Sequence, residues 1–505
     1  MTSSDYVIVG GGTAGAILAA RLTEDPAVTV TLVEWGPSDE DEPRATALRR
    51  WPELFGSEYD LDYRSVPQAR GNSDIRQTRM RLLGGCSTVN TMIAWRPPDA
   101  DLREWVTLGA SGWGPEDFGP YFDRLRTPIT PVAPADRNPL LADIVTAAAK
   151  ALDVPERSSW NSEPYVDGAG FFEVGYDPAT GARSSSSRVY LHPVRPDRPN
   201  LRLVLRTRVT KVLVDEGRAT GVRGLDEHGE PVTLRAHREV ILCAGAIDTP
   251  RLLLLSGIGP AGVLADAGVP LVHDLPGVGE NLQDHADALV VWETVDPVPP
   301  EMASGWDAGV LARIDENGER PDVVMLMGVE TWAEHLTAEG YDLPAHTTSL
   351  SPNVAKPASR GRIWITSADP DAAPSLDYRS FTDPGGHDEA VLVAGLRMAR
   401  RIAATEPMAS RVVREVFPGP DVRSDEDLSA IARRTHQTVY HVCGTARMGA
   451  ADDPLAVVDP SLRVRGLAGL RIADASVFPT VPSVNPMCTV MMLAERAADV
   501  LRGSY

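Results

Sequence analysis

The stretch VIVGGGTAGAILAARL, residues 7–22, sets Gly10, Gly12 and Gly15 in a G-x-G-x-x-G pattern between an apolar run and a segment of helix-forming composition. The chemistry this spacing serves is phosphate binding. Gly10 permits a tight turn, Gly12 lets a pyrophosphate touch the backbone, and Gly15 lets helix and strand pack closely. The start of the expected helix, Ala14 to Leu22, offers uncommitted N–H groups and a partial positive charge. A second apolar run, Val28 to Val33, ends in Glu34. Its carboxylate can accept hydrogen bonds from an adenosine ribose and repels a 2′-phosphate, which disfavours NADP. The motif leaves FAD and NAD both open. Near the other end, HVCGTARMG carries His441, an imidazole able to act as a base near neutral pH. Taken by itself, that histidine reads first as a core residue.

The elements that must position these groups begin with a βαβ unit over residues 6–34. Residues 200–245 read as strands, with an EHGE turn forming a hairpin, and Thr249-Pro250 opens a leucine-rich helix closed by Gly257. From about 290 to 430 the text changes. VVWETV, PDVVMLMGV, SLSPNV and GRIWITS read as one antiparallel sheet, and DEAVLVAGLRMARRIAA and DEDLSAIARRTH as amphipathic helices. Short strands return near 470, before a C-terminal helix from Pro486 to Leu501. The expected fold is α/β: a Rossmann-like nucleotide domain (1–150, 196–288, 436–505) interleaved with an α+β substrate domain (151–195, 289–435) on an antiparallel sheet.

Composition bounds the function. The 505 residues are 43% apolar, with a mean hydropathy of −0.15, and suit a globular chain with a large core. Lys+Arg 49 against Asp+Glu 70 gives a net charge of −21, which disfavours nucleic acid and anionic membranes as partners. Only Lys150, Lys211 and Lys356 are lysines. Four cysteines stand alone, without CxxC or CxxH spacing, so neither a disulfide framework nor a metal site is expected. No apolar run approaches the roughly 20 residues needed to span a bilayer. A strand begins almost at once, so no signal peptide is expected. Together these features predict a cytoplasmic protein.

Six blocks, VIVGGGTAG, RLLGGCSTVNTMIAWR, EVILCAGAIDTPRLLLLSGIGP, LPGVGENLQDH, HVCGTARMG and GLRIADASVFPTVPSVNPMCTVMMLAERAAD, are spread over the whole chain. With them the sequence resembles the glucose–methanol–choline family of FAD-dependent oxidoreductases, and within it the choline-oxidising members. The resemblance implies FAD, held at Gly10, Gly12, Thr13, Ala14, Gly15 and Glu34. It implies a main-chain contact to adenine near Val209, flavin-side contacts from Gly84, Gly85, Asn90 and Thr91, and Asp474 near the pyrophosphate. The histidine that tethers flavin in choline-oxidising members falls on Val89, so FAD is expected to be non-covalent.

The resemblance makes His441 and Asn485 the catalytic pair. His441 would take the hydroxyl proton of an alcohol while hydride passes to flavin N5, and Asn485 would hold the alcohol oxygen. By residue type alone, Asn485 is also a helix N-cap, followed by Pro486 at the first helical position. A helix start at Pro486 aimed at the flavin's pyrimidine edge would stabilise reduced flavin by about 0.3–2 kcal/mol. For substrate, the resemblance implies Glu293 as a carboxylate for a cationic group, Trp306 and Tyr440 as aromatic faces, and Val439 as a residue favouring reaction with oxygen. Two positions depart from the pattern. Leu326 replaces a second active-site histidine, and Thr348 replaces an aromatic wall. His285, in LQDH, reads as structural. The function implied is oxidation of a small or medium primary alcohol, an amine-bearing one among the candidates, to an aldehyde with oxygen as acceptor, giving hydrogen peroxide, in a homodimer by family expectation. The alternatives are a dehydrogenase with another acceptor and a non-redox hydroxynitrile lyase.

Overall fold

The apolar run before the glycines forms strand β1 (Thr2–Val9) in a computed structural model that describes residues 2–71, 74–161, 167–315, 317–329 and 331–503. Helix α1 (Thr13–Leu22) follows, then strand β2 (Val30–Val33), which pairs parallel with β1 from Tyr6↔Val30 to Val9↔Val33. Tyr6 to Val9 of β1 and all of β2 are buried, as their mostly apolar residues require. The strand Pro231–Leu242 lies parallel on the other side of β1, and Leu201–Val204 extends the sheet beyond β2. Arg208–Asp215 and Arg218–Leu225 add an antiparallel edge. Leu470–Ile472, from the far end of the chain, pairs parallel with Pro231–Leu242. The C-terminal helix Met487–Arg502 packs on α1, where Arg21 grips the fully buried Glu495 through two bonds of 2.8 and 2.7 Å. Both chain ends therefore belong to one Rossmann-like layer.

The second sheet runs in the order Val412–Phe417, Val290–Thr294, Thr347–Val354, Val323–Gly328, Ala308–Ala312, Gly168–Phe171, Glu156–Arg157. Its pairings are antiparallel except the last. Helices Pro139–Leu152 and His387–Ala403 cover one face, burying Leu141, Ile144, Leu392 and Leu396 against it. GRIWITS does not join this sheet. Gly361–Trp364 pairs instead with Glu280–Leu282 and Ser375–Asp377 in a separate three-stranded sheet. The leucine-rich helix also starts earlier than Thr249-Pro250 suggests, at Gly245, because Asp474 accepts a hydrogen bond from the Gly245 N–H at 2.9 Å and supports that end. Among the described residues all four cysteines are free thiols, no helix is long and apolar enough to cross a membrane, and no cluster of His, Cys, Asp or Glu could hold a metal.

Candidate active site

One cavity of about 900 Å³ is lined both by the glycine loop and by the tail of the chain. At the first end lie Gly10, Gly12, Thr13, Ala14 and Glu34. Gly10 has φ +99°, and a Cβ there would stand 2.5 Å from the Cys243 carbonyl oxygen. A Cβ on Gly15 would stand 1.9 Å from Gly10 O, so this glycine is a packing residue and does not reach the cavity. Gly12 differs: the nearest atom to its Cβ would be Gly85 Cα at 3.7 Å, which leaves the backbone open to the cavity. No side chain caps α1. Glu34 accepts hydrogen bonds from the N–H groups of Gly11 (2.8 Å) and Gly36 (2.7 Å), while burial pushes its carboxyl up to about 7.

The segment at 84–91 borders this cradle. Gly84 N–H donates to Gly11 O at 2.8 Å and holds Gly85, Asn90 and Thr91 at the wall, though Gly84 itself stands behind it. Val89 and Val209 also line the cavity. Asp474 reaches it with its carboxylate already committed, to Gly245 N, Thr249 Oγ1 (2.6 Å) and Ser476 N (2.9 Å).

At the other end His441 and Asn485 face the same space. His441 Nδ1 lies 2.8 Å from His285 Nδ1, with the two rings nearly perpendicular, and its Nε2 makes no hydrogen bond within the protein. Burial, then the nearby His285 and Arg79, hold the His441 pKa well below the ordinary histidine range. Asp284 accepts from the backbone N–H groups of His441 (2.8 Å) and His285 (2.9 Å) and from the Thr438 hydroxyl. Asn485 does not cap the C-terminal helix. Pro486 takes the cap position, and the Asn485 carboxamide makes no hydrogen bond with the protein. Pro486 and Met487 also line the cavity.

The sequence of the whole chain matches known proteins. The GMC oxidoreductase family matches it in two parts, over residues 4–287 and 357–494. The chain belongs to the GMC oxidoreductase family. A choline oxidase of Arthrobacter globiformis is 42% identical over 518 aligned residues, covering 99% of this chain and 94% of that one. An alcohol dehydrogenase [acceptor] of Pseudomonas putida is 33% identical, covering 98% and 95%. The crystal structure of a pyridoxine 4-oxidase from Mesorbium loti superimposes with a TM-score of 0.92 at 30% identity, over 99% of this chain and all of that one. As a GMC oxidoreductase the protein is an FAD-dependent enzyme acting on alcohol donors. The site fits that cofactor: an open glycine, an uncapped helix start and a carboxylate lie at one end of a cavity that reaches an uncommitted imidazole and carboxamide at the other.

In this GMC oxidoreductase the substrate-side residues divide. Trp306, Leu326, Val439 and Tyr440 line the cavity; Glu293 and Thr348 do not. The Glu293 carboxylate binds Arg414 Nε at 2.8 Å, outside the cavity, and so supplies no charge to it. Thr348 is buried within the sheet, its hydroxyl 3.4 Å from Gly328 O. Among the carboxylates that line the cavity, which also include Asp74, Asp248, Glu334 and Glu339, Asp287 is the one on the same alternating face of the chain as Glu293. Its Oδ2 accepts from Ser351 Oγ at 2.6 Å, its Oδ1 has no partner, and burial pushes its carboxyl up to about 6. Aromatic faces come from Trp51, Phe55, Trp332 and Tyr440, whose neighbouring centroids are 5.0–5.4 Å apart. Only Tyr440 of these four was legible in the sequence. The signal for two others lay in RRWPELFG, where Trp51 and Phe55 are four residues apart.

Proposed function

We propose that this GMC oxidoreductase oxidises a small primary alcohol carrying a protonated amine to the aldehyde, with His441 as the base and oxygen as the acceptor. The observation that carries the reading is the shared cavity: His441 Nε2 and the Asn485 carboxamide, both uncommitted, meet the space that begins at Gly12. Bound FAD supplies a hydride acceptor at N5, and its reoxidation by oxygen yields hydrogen peroxide. His441 is neutral at physiological pH because burial disfavours its charge, so Nε2 can receive the hydroxyl proton. Asn485 can donate to the alcohol oxygen and orient the carbon. Gly10, Gly12, Thr13 and Ala14 cradle the pyrophosphate, and Glu34 serves the ribose. Gly85, Asn90 and Thr91 border the flavin. Val89 stands where the resemblance puts the tethering histidine and offers no nucleophile, which supports FAD held without a covalent bond.

The amine follows from two features of the wall. Aromatic faces attract cations. Asp287 is a buried carboxylate that accepts from Ser351, is stabilised also by the Gln437 backbone N–H, and leaves Oδ1 unpaired, and a buried charge in that state calls for a partner. The free thiols, three of them buried, suit a reducing, cytoplasmic setting.

Anaerobic titration of the holoenzyme with a panel of neutral and amino alcohols, followed by air, tests this reading. Amino alcohols should bleach the flavin at lower concentration than their neutral isosteres, and Asp287→Asn should shrink that ratio about tenfold or more, as expected for a charge-assisted bond. Acid denaturation should release free flavin. Slow reoxidation in air would favour a non-oxygen acceptor. Cyanide release from cyanohydrins without bleaching would favour the lyase and end the redox reading.

A further inference from the structure

His285 lies outside the cavity wall, is 1% exposed, and has no part in the chemistry above. Yet it is the partner of His441, Nδ1 to Nδ1 at 2.8 Å. Two imidazole nitrogens at that distance share one hydrogen, so one ring must present Nδ1–H and the other a bare Nδ1. The surroundings of His285 decide which. Its remaining nitrogen, Nε2, is buried without a formed hydrogen bond, and the polar groups turned toward the ring are the carbonyls of Ala355 and Pro482. Carbonyls accept and cannot donate, so a lone pair facing them would be repelled while an N–H is attracted. The charged amine nearby, Lys356, is engaged with Asp101, Thr480 and the Val481 carbonyl and does not donate to the ring. A doubly protonated His285 is disfavoured by its burial.

We infer that His285 is a positioning residue that fixes the tautomer of His441: the Ala355 and Pro482 carbonyls keep hydrogen on His285 Nε2, its bare Nδ1 accepts from His441 Nδ1–H, and the lone pair of His441 is thereby placed on Nε2, facing the cavity. The inference rests on reading His441 as the base. In the proton transfer, the substrate O–H bond breaks and the Nε2–H bond of His441 forms. The Nδ1–H of His441 stays where it is, donating to His285, and no proton passes to His285. Asp284 completes the arrangement by holding both backbones, through the His441 and His285 N–H groups.

The test uses holoenzyme labelled with ¹⁵N at its ten histidines, the His441 signal being the one that His441→Gln removes. The expected spectrum shows His441 protonated at Nδ1 and bare at Nε2. In His285→Leu the two tautomers should mix, and anaerobic flavin reduction by alcohol should slow by roughly 10–10²-fold, the scale of a misdirected general base. His285→Asn, whose carboxamide oxygen can accept from Nδ1–H, should return both readouts toward wild type. A wild-type His441 carrying its hydrogen on Nε2 overturns the inference, whether or not any variant folds. So does a His285→Leu enzyme with unchanged tautomer and rate. If His441→Gln reduces flavin at the wild-type rate, the base reading fails instead, and the tautomer measurement still stands on its own.

Discussion

Gly12 and Gly15 belong to one motif but should fail in opposite ways when replaced by alanine. At Gly15 the added methyl would sit 1.9 Å from the Gly10 carbonyl oxygen, and both atoms belong to the backbone of the β1–α1 unit. Neither can swing away, so helix and strand must part, and the penalty should reach or exceed the ~3 kcal/mol upper end of ordinary overpacking. At Gly12 the methyl meets nothing closer than Gly85 Cα at 3.7 Å, and φ −74° with ψ −160° suits alanine. The apoprotein should tolerate it, losing at most about 1 kcal/mol from a poorer helix cap. The methyl instead occupies the approach of the pyrophosphate. Losing two charge-assisted contacts to backbone N–H groups, at about 1.5–3 kcal/mol each, weakens FAD binding by roughly 10²–10⁴-fold. The assay is thermal unfolding of each apoprotein beside FAD titration by flavin fluorescence. Gly15→Ala should unfold several degrees lower; Gly12→Ala should unfold near wild type yet stay colourless at micromolar FAD. A Gly12→Ala protein that purifies yellow with wild-type affinity would refute placing the pyrophosphate at this backbone.

Three further outcomes follow from buried charge. His441 is held below its ordinary value of 6.5 by burial first and by His285 and Arg79 after it, with Asp284 bonded to its backbone. With His441 as the proposed base the neutral form is the active one, so the rate constant for flavin reduction should rise with pH through a limb below 6.5 and stay level from there to pH 8 in stopped-flow measurements; a limb above 7 would contradict it. Arg471 and Glu239, both buried, form a bidentate pair at 2.5 and 3.1 Å between strands of the first sheet. Arg471→Leu should remove about 3–5 kcal/mol in chemical denaturation, and the double replacement with Glu239→Leu should recover most of it. Lys356 holds the loop before Asn485 through Val481 O (2.7 Å) and Thr480 Oγ1 (2.9 Å). Lys356→Met should slow flavin reduction by about 10–10²-fold while leaving the FAD dissociation constant within threefold, since only the alcohol end is loosened.

The parts of this fold legible in the sequence are those fixed by local spacing. The β1–α1–β2 unit could be read because glycines, apolar runs and an acidic residue fall within 34 residues. The C-terminal helix shows apolar spacing along its length. Other features depend on contacts that spacing does not encode. Glu293 and Asp287 have the same parity along the chain, so alternation gives them the same face, and only the three-dimensional position of the cavity selects Asp287. His285 is brought to His441 by the antiparallel bridge Gln283↔Cys443, which joins LQDH to HVCG across some 160 residues. Asn485 precedes proline as a cap would. The helix takes Pro486 as its cap instead, because proline's missing N–H leaves nothing to satisfy at that point.

Under the proposed mechanism, the geometry of His441 and Asn485 depends on two carboxylates that hold the backbone around them. His441 and Asn485 both come from the tail of the chain, in segments without regular secondary structure, and such segments keep their place only when their backbone groups are paired. Asp284 pairs the backbone around His441. Asp101, fully buried in the helix Asp99–Thr107, does the same before Asn485: its Oδ2 accepts from Ser483 N (2.6 Å) and Ser483 Oγ (2.7 Å), and its Oδ1 accepts from Lys356 and Arg320 at 3.0 Å each. Burial opposes ionisation of both, but at Asp101 it is outweighed by Lys356, Arg320 and the two Ser483 bonds together, whereas at Asp284 it prevails over Thr438, Arg79 and the backbone bonds and pushes the carboxyl up to about 6. The two clamps should therefore part company in acid: as pH falls through 6, the hold on His441 weakens before the hold on Asn485. His441, the proposed base, and not Asn485, is then the first of the pair to lose its position.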